Sequence, residues 1–160
     1  MRLWRICPAL YAATGVQAFD GVGGLYAHGR WHTKGRAIVY TATTETLARL
    51  EALVHVRPRL VRKLALVLVE ATVPDHLIAA LSGSLPLRWN DVPDSGATRP
   101  VGDAWLAAAS SLALQVPSVL AAGEHNVLIN PKHPYFSRLV IGAPQPFSFD
   151  PRLLDPKLRK

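Results

Sequence analysis

An α+β domain with a mixed, mostly antiparallel sheet is the fold this sequence predicts, and three observations carry that reading. Strand-like and helix-like segments follow the order strand, loop, strand, helix, strand, helix, then several strands, which is not a regular βαβ alternation. Of the 160 residues 49% are hydrophobic and 18% charged, enough apolar material for one core and too little charge for a disordered chain. The longest strongly apolar run, Leu64 to Val69, is cut by Glu70, so it reads as a buried strand, far short of a membrane span. The length favours one domain.

Leu3 to Ile6 reads as the first strand, stopped by Pro8. From Asp20 to Gly35 the chain carries five glycines (Gly21, Gly23, Gly24, Gly29 and Gly35) and must be largely loop and turn. Ala37 to Thr41 is a short β-type run. A helix follows over Thr44 to Val56, capped by Thr43 or Thr44 with Glu45 in its first turn, and Leu47, Leu50 and Val54 form its expected buried stripe. Lys63 to Val73 predicts a central strand. Ser82 to Pro100, rich in Gly, Pro, Ser and Asp, predicts a long surface loop, a lid or a partner surface. Val101 to Gln115 predicts a second helix with Trp105, Leu106, Ala109 and Leu112 inward. Strands are expected at Ser118 to Ala121 and Val127 to Asn130. Leu139 to Phe149, broken by Pro144 and Pro146, reads as an edge strand or a bend.

The chain has a formal charge of +7 and a pI of about 10.1, which attracts polyanions: nucleic acid, nucleotides or an acidic protein. Arg57, Arg59, Arg62 and Lys63 form one basic cluster; Arg152, Lys157, Arg159 and Lys160 form a basic tail over 151–160. Either set also reads as a solvated face. Basic residues with interleaved aromatics, the pattern of a nucleic-acid groove, do not occur. The single cysteine, Cys7, allows no intrachain disulfide and suits a reducing cytoplasm. The apolar run within MRLWRICPAL is too short for a secretion signal. A soluble, cytoplasmic protein is expected.

Several side chains break the local pattern. Glu51 lies four residues after Leu47 on the apolar stripe of its helix, where a lone charge is costly. It is either an ion pair with an arginine or a carboxylate bordering a cleft. Arg5, between Trp4 and Ile6, points to the strand face opposite both; it either holds a phosphate in a pocket or reaches to solvent. Arg30, in Gly29-Arg30-Trp31-His32, combines close backbone approach, a guanidinium and a stacking face, a combination suited to an anion. Tyr40 ends its strand with a ring and a hydroxyl, a core tyrosine or a substrate contact. Ser118 and Asn126 sit at strand ends, where polar groups commonly close turns. The dinucleotide fingerprint is incomplete at Gly21-Val22-Gly23-Gly24, a P-loop and a nucleophile elbow are missing, and His28 and His32 fall among helix-breaking glycines, so no metal is predicted.

Taken in order, these pieces resemble the RES domain, named for arginine, glutamate and serine. Leu3-Trp4-Arg5-Ile6 resembles its opening strand. Gly29-Arg30-Trp31-His32 with Gly35-Arg36 and Ile38-Val39-Tyr40 resembles its central motif. Ala48 to His55, holding Glu51, resembles its glutamate helix, and Val116-Pro117-Ser118 with Glu124 to Pro134 resembles its C-terminal block. The likeness spans about residues 3 to 150, which sets a 1–150 domain apart from the 151–160 tail.

This resemblance implies a fold like the catalytic domains of ADP-ribosylating toxins. It also implies an NAD-degrading toxin with NAD as substrate, no further cofactor, and an Xre-type antitoxin as partner. Homodimers inside a larger toxin–antitoxin complex are implied too, with DNA contacted only through the antitoxin. On that footing Glu51 stabilises the oxocarbenium-like sugar, Arg5 and Arg30 hold the pyrophosphate, Tyr40 meets the nicotinamide ribose, Ser118 positions substrate or Glu51, and Asn126 supports from behind. Two other functions fit the same residues less closely: an ADP-ribosyltransferase acting on a protein or nucleotide, and a basic nucleic-acid binder without catalysis.

Overall fold

The computed structural model describes residues 1–55, 64–155 and 157. The basic cluster from Arg57 to Lys63 and the tail residues Arg159 and Lys160 lie outside the described residues.

Eight strands are found among the described residues: β1 (Arg2–Pro8), β2 (Val39–Ala42), β3 (Leu66–Thr72), β4 (Ile78–Ala80), β5 (Ala113–Pro117), β6 (His125–Ile129), β7 (Val140–Ile141) and β8 (Gln145–Phe147). They form one sheet in the order β4-β5-β6-β2-β1-β3-β7, with β8 also on β3. Only β4 and β5 run parallel; every other pairing is antiparallel. The helices are α1 (Gly15–Ala18), α2 (Gly23–Tyr26), α3 (Glu45–His55), α4 (Arg99–Ala108) and α5 (Pro151–Leu154). The α+β, mostly antiparallel expectation therefore holds.

Alternation along the strands divides the sheet into two apolar faces. Leu3, Cys7, Val39, Val67, Val69, Val127 and Ile129 pack on one side with Phe19 and Leu112. Trp4, Ile6 and Ala42 face the other way and pack on Leu47 and Ala48 of α3. On that second face Leu114, Val116 and Leu128 pack with Trp31 and Trp105. β1 pairs with β3 over seven residues, from Arg2↔Thr72 to Pro8↔Leu66, whereas its pairing with β2 is confined to Trp4↔Ala42. The sheet thus splays between β1 and β2.

Thr44 caps α3: its Oγ1 accepts from the Leu47 amide at 3.1 Å and donates to Glu124 Oε2 at 2.8 Å. That second bond ties the helix start to the loop before β6. The buried stripe of α3 differs from the expected one. Leu47 and Ala48 are buried, while Leu50 and Val54 face solvent, so the docked face turns toward Ala48, Glu51 and Ala52.

Three further expectations are corrected. The second helix spans Arg99–Ala108 and stops at Ala109, whose φ of 46° is left-handed; Ala113 to Gln115 belong to β5 instead. Ladder bonding to β4 and β6 on its two sides outweighs the weak helical preference of that alanine- and leucine-rich stretch. Ser118 to Ala121 is a turn, because Ser118 Oγ accepts from the amides of Leu120 and Ala121 at 3.1 and 3.3 Å. Trp31, expected to offer a stacking face, is 2% exposed and sits in the core with Trp105. The Leu139 to Phe149 run pairs with β3 twice, as β7 and then β8, with its bend at Gly142 to Pro144.

Candidate active site

Three predicted residues meet on the α3 face of the sheet. Glu51 projects from α3; Asn126 stands on β6, opposite Ala42; Ser118 follows β5 directly. Asn126 Nδ2 donates to Glu51 Oε1 at 2.6 Å, and Ser118 Oγ donates to the same oxygen at 3.2 Å. Ser118 is itself 5% exposed and is held by the turn amides it accepts from. The other carboxylate oxygen, Oε2, lies 3.9 Å from His55 Nε2, beyond hydrogen-bond reach. Among the described residues Glu51 has no arginine partner. Its side chain is 26% exposed, so one oxygen is anchored inside while the other borders solvent. A carboxylate held this way keeps a fixed negative oxygen for a developing cation.

Tyr40 belongs to the same face. It pairs opposite Leu128, one pleat from the Ala42↔Asn126 pair, a diagonal spacing of about 7–8 Å between residues. Its hydroxyl accepts from the Trp31 amide at 3.0 Å and contacts His32 Nδ1 at 2.9 Å. The other nitrogen of His32, Nε2, is 3.1 Å from the Ala27 carbonyl. A carbonyl only accepts, so Nε2 carries the proton and Nδ1 accepts from the tyrosine hydroxyl. The hydroxyl proton is therefore engaged by His32, and burial holds the Tyr40 phenol well above the ordinary tyrosine range. Both roles of the Tyr40 hydroxyl, donor and acceptor, are thus taken by protein partners. Gly29 makes this knot possible: a Cβ there would stand 2.5 Å from the Tyr40 hydroxyl and 2.6 Å from the His32 ring.

Arg30 leads from this knot into the long loop. Its Nη1 donates to the Trp89 carbonyl at 2.6 Å, its Nη2 to the Asp91 carbonyl at 3.1 Å, and Asp94 Oδ1 lies 3.5 Å away. Thr98 Oγ1 closes the contact by donating to the Arg30 carbonyl. Arg5 is not brought to Glu51. Alternation places it with Leu3 and Cys7, away from α3. Its Nη1 donates to the Tyr40 carbonyl at 3.0 Å, bridging the splay between β1 and β2, and its Nε is buried with no partner among the described residues. The sequence therefore groups six residues, of which the structure collects Glu51, Ser118 and Asn126 in one cluster, sets Tyr40 one pleat away, turns Arg30 into the 89–94 segment, and puts Arg5 behind Tyr40.

Sequence reading missed His32, Asp94 and Arg99. His32 stood inside a motif it had singled out, but only burial and the Tyr40 contact give it a role. Asp94 and Arg99 lie in or at the end of a loop without periodicity, so no local signal marks them. An apolar cavity of about 340 Å³ lined by Leu66, Phe147, Phe149 and Leu154 among others contains none of the candidate residues. Among the described residues its lining holds no ionisable group, whereas the polar cluster around Glu51 brings together a carboxylate, an amide and a hydroxyl.

The sequence model of the RES domain matches residues 2–150. The chain belongs to the RES domain family. "Toxin Res" of Yersinia enterocolitica (serotype O:8, biotype 1B) is 36% identical over 155 residues, covering 96% of this chain and 99% of that protein. "Prs ADP-ribosylating toxin" of a Sphingobium species is 34% identical over 160 residues, covering 94% and 95%. The crystal structure of the M. tuberculosis MbcT–MbcA toxin–antitoxin complex contains a similar fold, with a TM-score of 0.68 and 17% identity over 96% of this chain and 86% of that one. The RES domain resemblance and its fold thus stand.

Proposed function

We propose that this RES domain chain is the toxin of a toxin–antitoxin pair and that it cleaves the nicotinamide–ribose bond of NAD. The single observation behind this reading is the Glu51 carboxylate, anchored through Oε1 by Asn126 and Ser118 with Oε2 left at the solvent border. Nicotinamide departs as a neutral base and leaves an oxocarbenium-like ribose, which a fixed carboxylate stabilises without reorganising. In hydrolysis water adds to the anomeric carbon, giving nicotinamide, ADP-ribose and a proton. In phosphorolysis inorganic phosphate adds there, giving nicotinamide and ADP-ribose phosphate. The Tyr40 ring borders the ribose and Arg30 takes the diphosphate. Arg5 holds the β2 backbone beneath Tyr40. NAD is the substrate, and no metal or other cofactor enters. An Xre-type antitoxin covers the site in a complex built on toxin dimers in the cytoplasm; DNA is reached only through that partner.

A second reading has an observation of its own. The Sphingobium relative carries the name of an ADP-ribosylating toxin, so transfer of ADP-ribose to a protein or nucleotide fits the same residues, the acceptor replacing water. One experiment separates the readings. Antitoxin-free protein and Glu51→Gln are incubated with NAD labelled on the adenylate, with and without phosphate, and nicotinamide and label are followed. The expected result is nicotinamide release by the wild type and a loss of about 10²–10³-fold in the variant, the scale of removing one preorganised electrostatic group. Label in a small product supports cleavage; label on a macromolecule moves the reading to transfer. No nicotinamide from the wild type, or equal release by both proteins, overturns both.

A further inference from the structure

Two guanidinium groups converge on one carboxylate beside the Tyr40 knot. Arg99 Nη2 is 2.6 Å from Asp94 Oδ2, and Arg30 Nη1 is 3.5 Å from Asp94 Oδ1. Arg99 also donates from Nε to the Gly29 carbonyl at 3.0 Å, so both arginines are fastened to the Gly29-Arg30 turn. Their side chains are 29% and 20% exposed, and Asp94 is 25% exposed. These two positive charges, largely withdrawn from water, therefore share one internal negative charge. Arg99 hydrogen-bonds one oxygen of Asp94 while Arg30, its Nη atoms on the Trp89 and Asp91 carbonyls, lies in ion-pair range of the other. Two guanidinium groups around one small anion form an arrangement suited to phosphate oxygens.

The segment carrying Asp94 is attached to the body mainly through polar contacts. Arg30 takes the Trp89 and Asp91 carbonyls, Thr98 takes the Arg30 carbonyl, and the rest of its bonds are internal: Arg88 with Asp91, Ser95 Oγ with the Arg88 carbonyl, and the Gly96 amide with Asp94 Oδ1. Leu85 packs against the Trp31 and Trp105 core cluster and Trp89 is half-buried, while Leu87 and Val92 are 88% and 84% exposed. With Leu85 as its apolar anchor, the part around Asp94 is held chiefly by these polar contacts and can separate from the body locally.

We infer that Arg30 and Arg99 form a diphosphate-binding site, and that Asp94 is its internal occupant, displaced when the ligand's phosphates arrive. This rests on the NAD reading for the identity of the ligand, and it adds Arg99 and Asp94, which no sequence signal marked. A diphosphate brings two negative charges to two guanidinium groups where Asp94 supplies one. The turn holding Arg30 is tied to Tyr40 through the Trp31 amide, and Tyr40 lies one pleat from the Ala42↔Asn126 pair that leads to Glu51, so the inferred diphosphate site and the carboxylate lie along one side of the sheet. The strap is then a gate set by charge: closed on its own aspartate, open on substrate.

The test is calorimetric titration of ADP, inorganic pyrophosphate and AMP into the full chain, wild type beside Asp94→Asn and Arg99→Gln. Asp94→Asn is expected to bind ADP and pyrophosphate about 10-fold or more tightly than wild type, since one competing charged hydrogen bond is removed. Arg99→Gln is expected to bind both at least about 10-fold more weakly, and AMP is expected to change least. Unchanged or weaker ADP binding by Asp94→Asn overturns the inference, as does wild-type affinity in Arg99→Gln. Should either variant fail to fold, amide exchange of the wild type decides. Saturating ADP is expected to speed exchange at Gly96, whose amide bonds Asp94, and slower or unchanged exchange there overturns the displacement. Failure of the catalytic reading looks different. Binding as expected without nicotinamide release leaves this site standing and sinks NAD cleavage; nicotinamide release with ADP affinities unaltered in both variants does the reverse.

Discussion

Removing the amide of Asn126 isolates what the anchored oxygen of Glu51 contributes. In Asn126→Ala, Oε1 loses the 2.6 Å bond and keeps only the 3.2 Å bond from Ser118, so the carboxylate can turn toward the solvent at Oε2. A hydrogen bond to a charged group contributes about 1.5–3 kcal/mol. If the whole of it acts on the transition state, kcat/KM falls by about 10–150-fold, at 1.36 kcal/mol per factor of ten. The same loss lowers stability by at most that amount, since Glu51 is partly solvated and water can replace the lost donor. For a domain of this length 1 kcal/mol shifts Tm by about 2–4 °C, so a fall of up to about 10 °C is expected. The assay is nicotinamide release at several NAD concentrations, with thermal unfolding of the same preparation followed by circular dichroism. Wild-type kcat/KM together with a reduced Tm would refute the reasoning, because Asn126 would then support the fold and not the reaction. A fall confined to KM would also count against it, since positioning of a transition-state carboxylate acts on kcat.

Two further predictions concern the knot around Tyr40. Burial lowers the His32 imidazole below its usual value of 6.5, more than its contacts with the Ala27 carbonyl and Asp103 raise it. Above pH 6.5 the ring is neutral folded and unfolded; below it the unfolded chain binds a proton that the folded chain resists, so stability falls as pH drops through that value. The urea midpoint of the wild type is therefore expected to decrease from pH 7.5 to 5.5, and by less in His32→Gln; equal decreases would remove His32 as the cause. In Gly29→Ala the added Cβ overlaps the Tyr40 hydroxyl and the His32 ring, two packed rings that cannot both yield. A loss of about 1–3 kcal/mol is expected from such overpacking, read as a lower urea midpoint at unchanged slope, and a wild-type midpoint would show that the rings do move.

Much of the site was legible because its residues violate local pattern. Glu51 follows Leu47 by one helical turn, which marks it as a charge on the apolar stripe, and the flank on which the sheet meets α3 then keeps it inward while Leu50 and Val54 face water. Ser118 and Asn126 stand at strand ends, where polar groups also close turns; Ser118 does both here, accepting two amides and donating to Glu51. Arg5 shows the limit of the same logic. Alternation correctly predicts the face it takes, but not that the sheet splays beside it and offers the Tyr40 carbonyl. Trp31 beside Arg30 suggested a stacking platform, yet ring size favours the core when a facing tryptophan completes it.

What the sequence determined by itself is whatever short-range periodicity and chemistry decide: the α+β class, the strands β1, β2 and β6, the helix bearing Glu51, and the order of motifs that places the chain in the RES domain family. What only the tertiary structure decided is set by bonds between distant parts of the chain. Ala113 to Gln115 suit a helix locally, and become strand because β4 and β6 lie ready on both sides of them. Leu50 and Val54 share helical spacing with Leu47, and face water because the sheet meets α3 on its other flank. The closing of Asp94 over Arg30 and Arg99 belongs to this second kind. A guanidinium takes whichever oxygens the fold brings within reach, and the partners of Arg30 come from some sixty residues further along the chain.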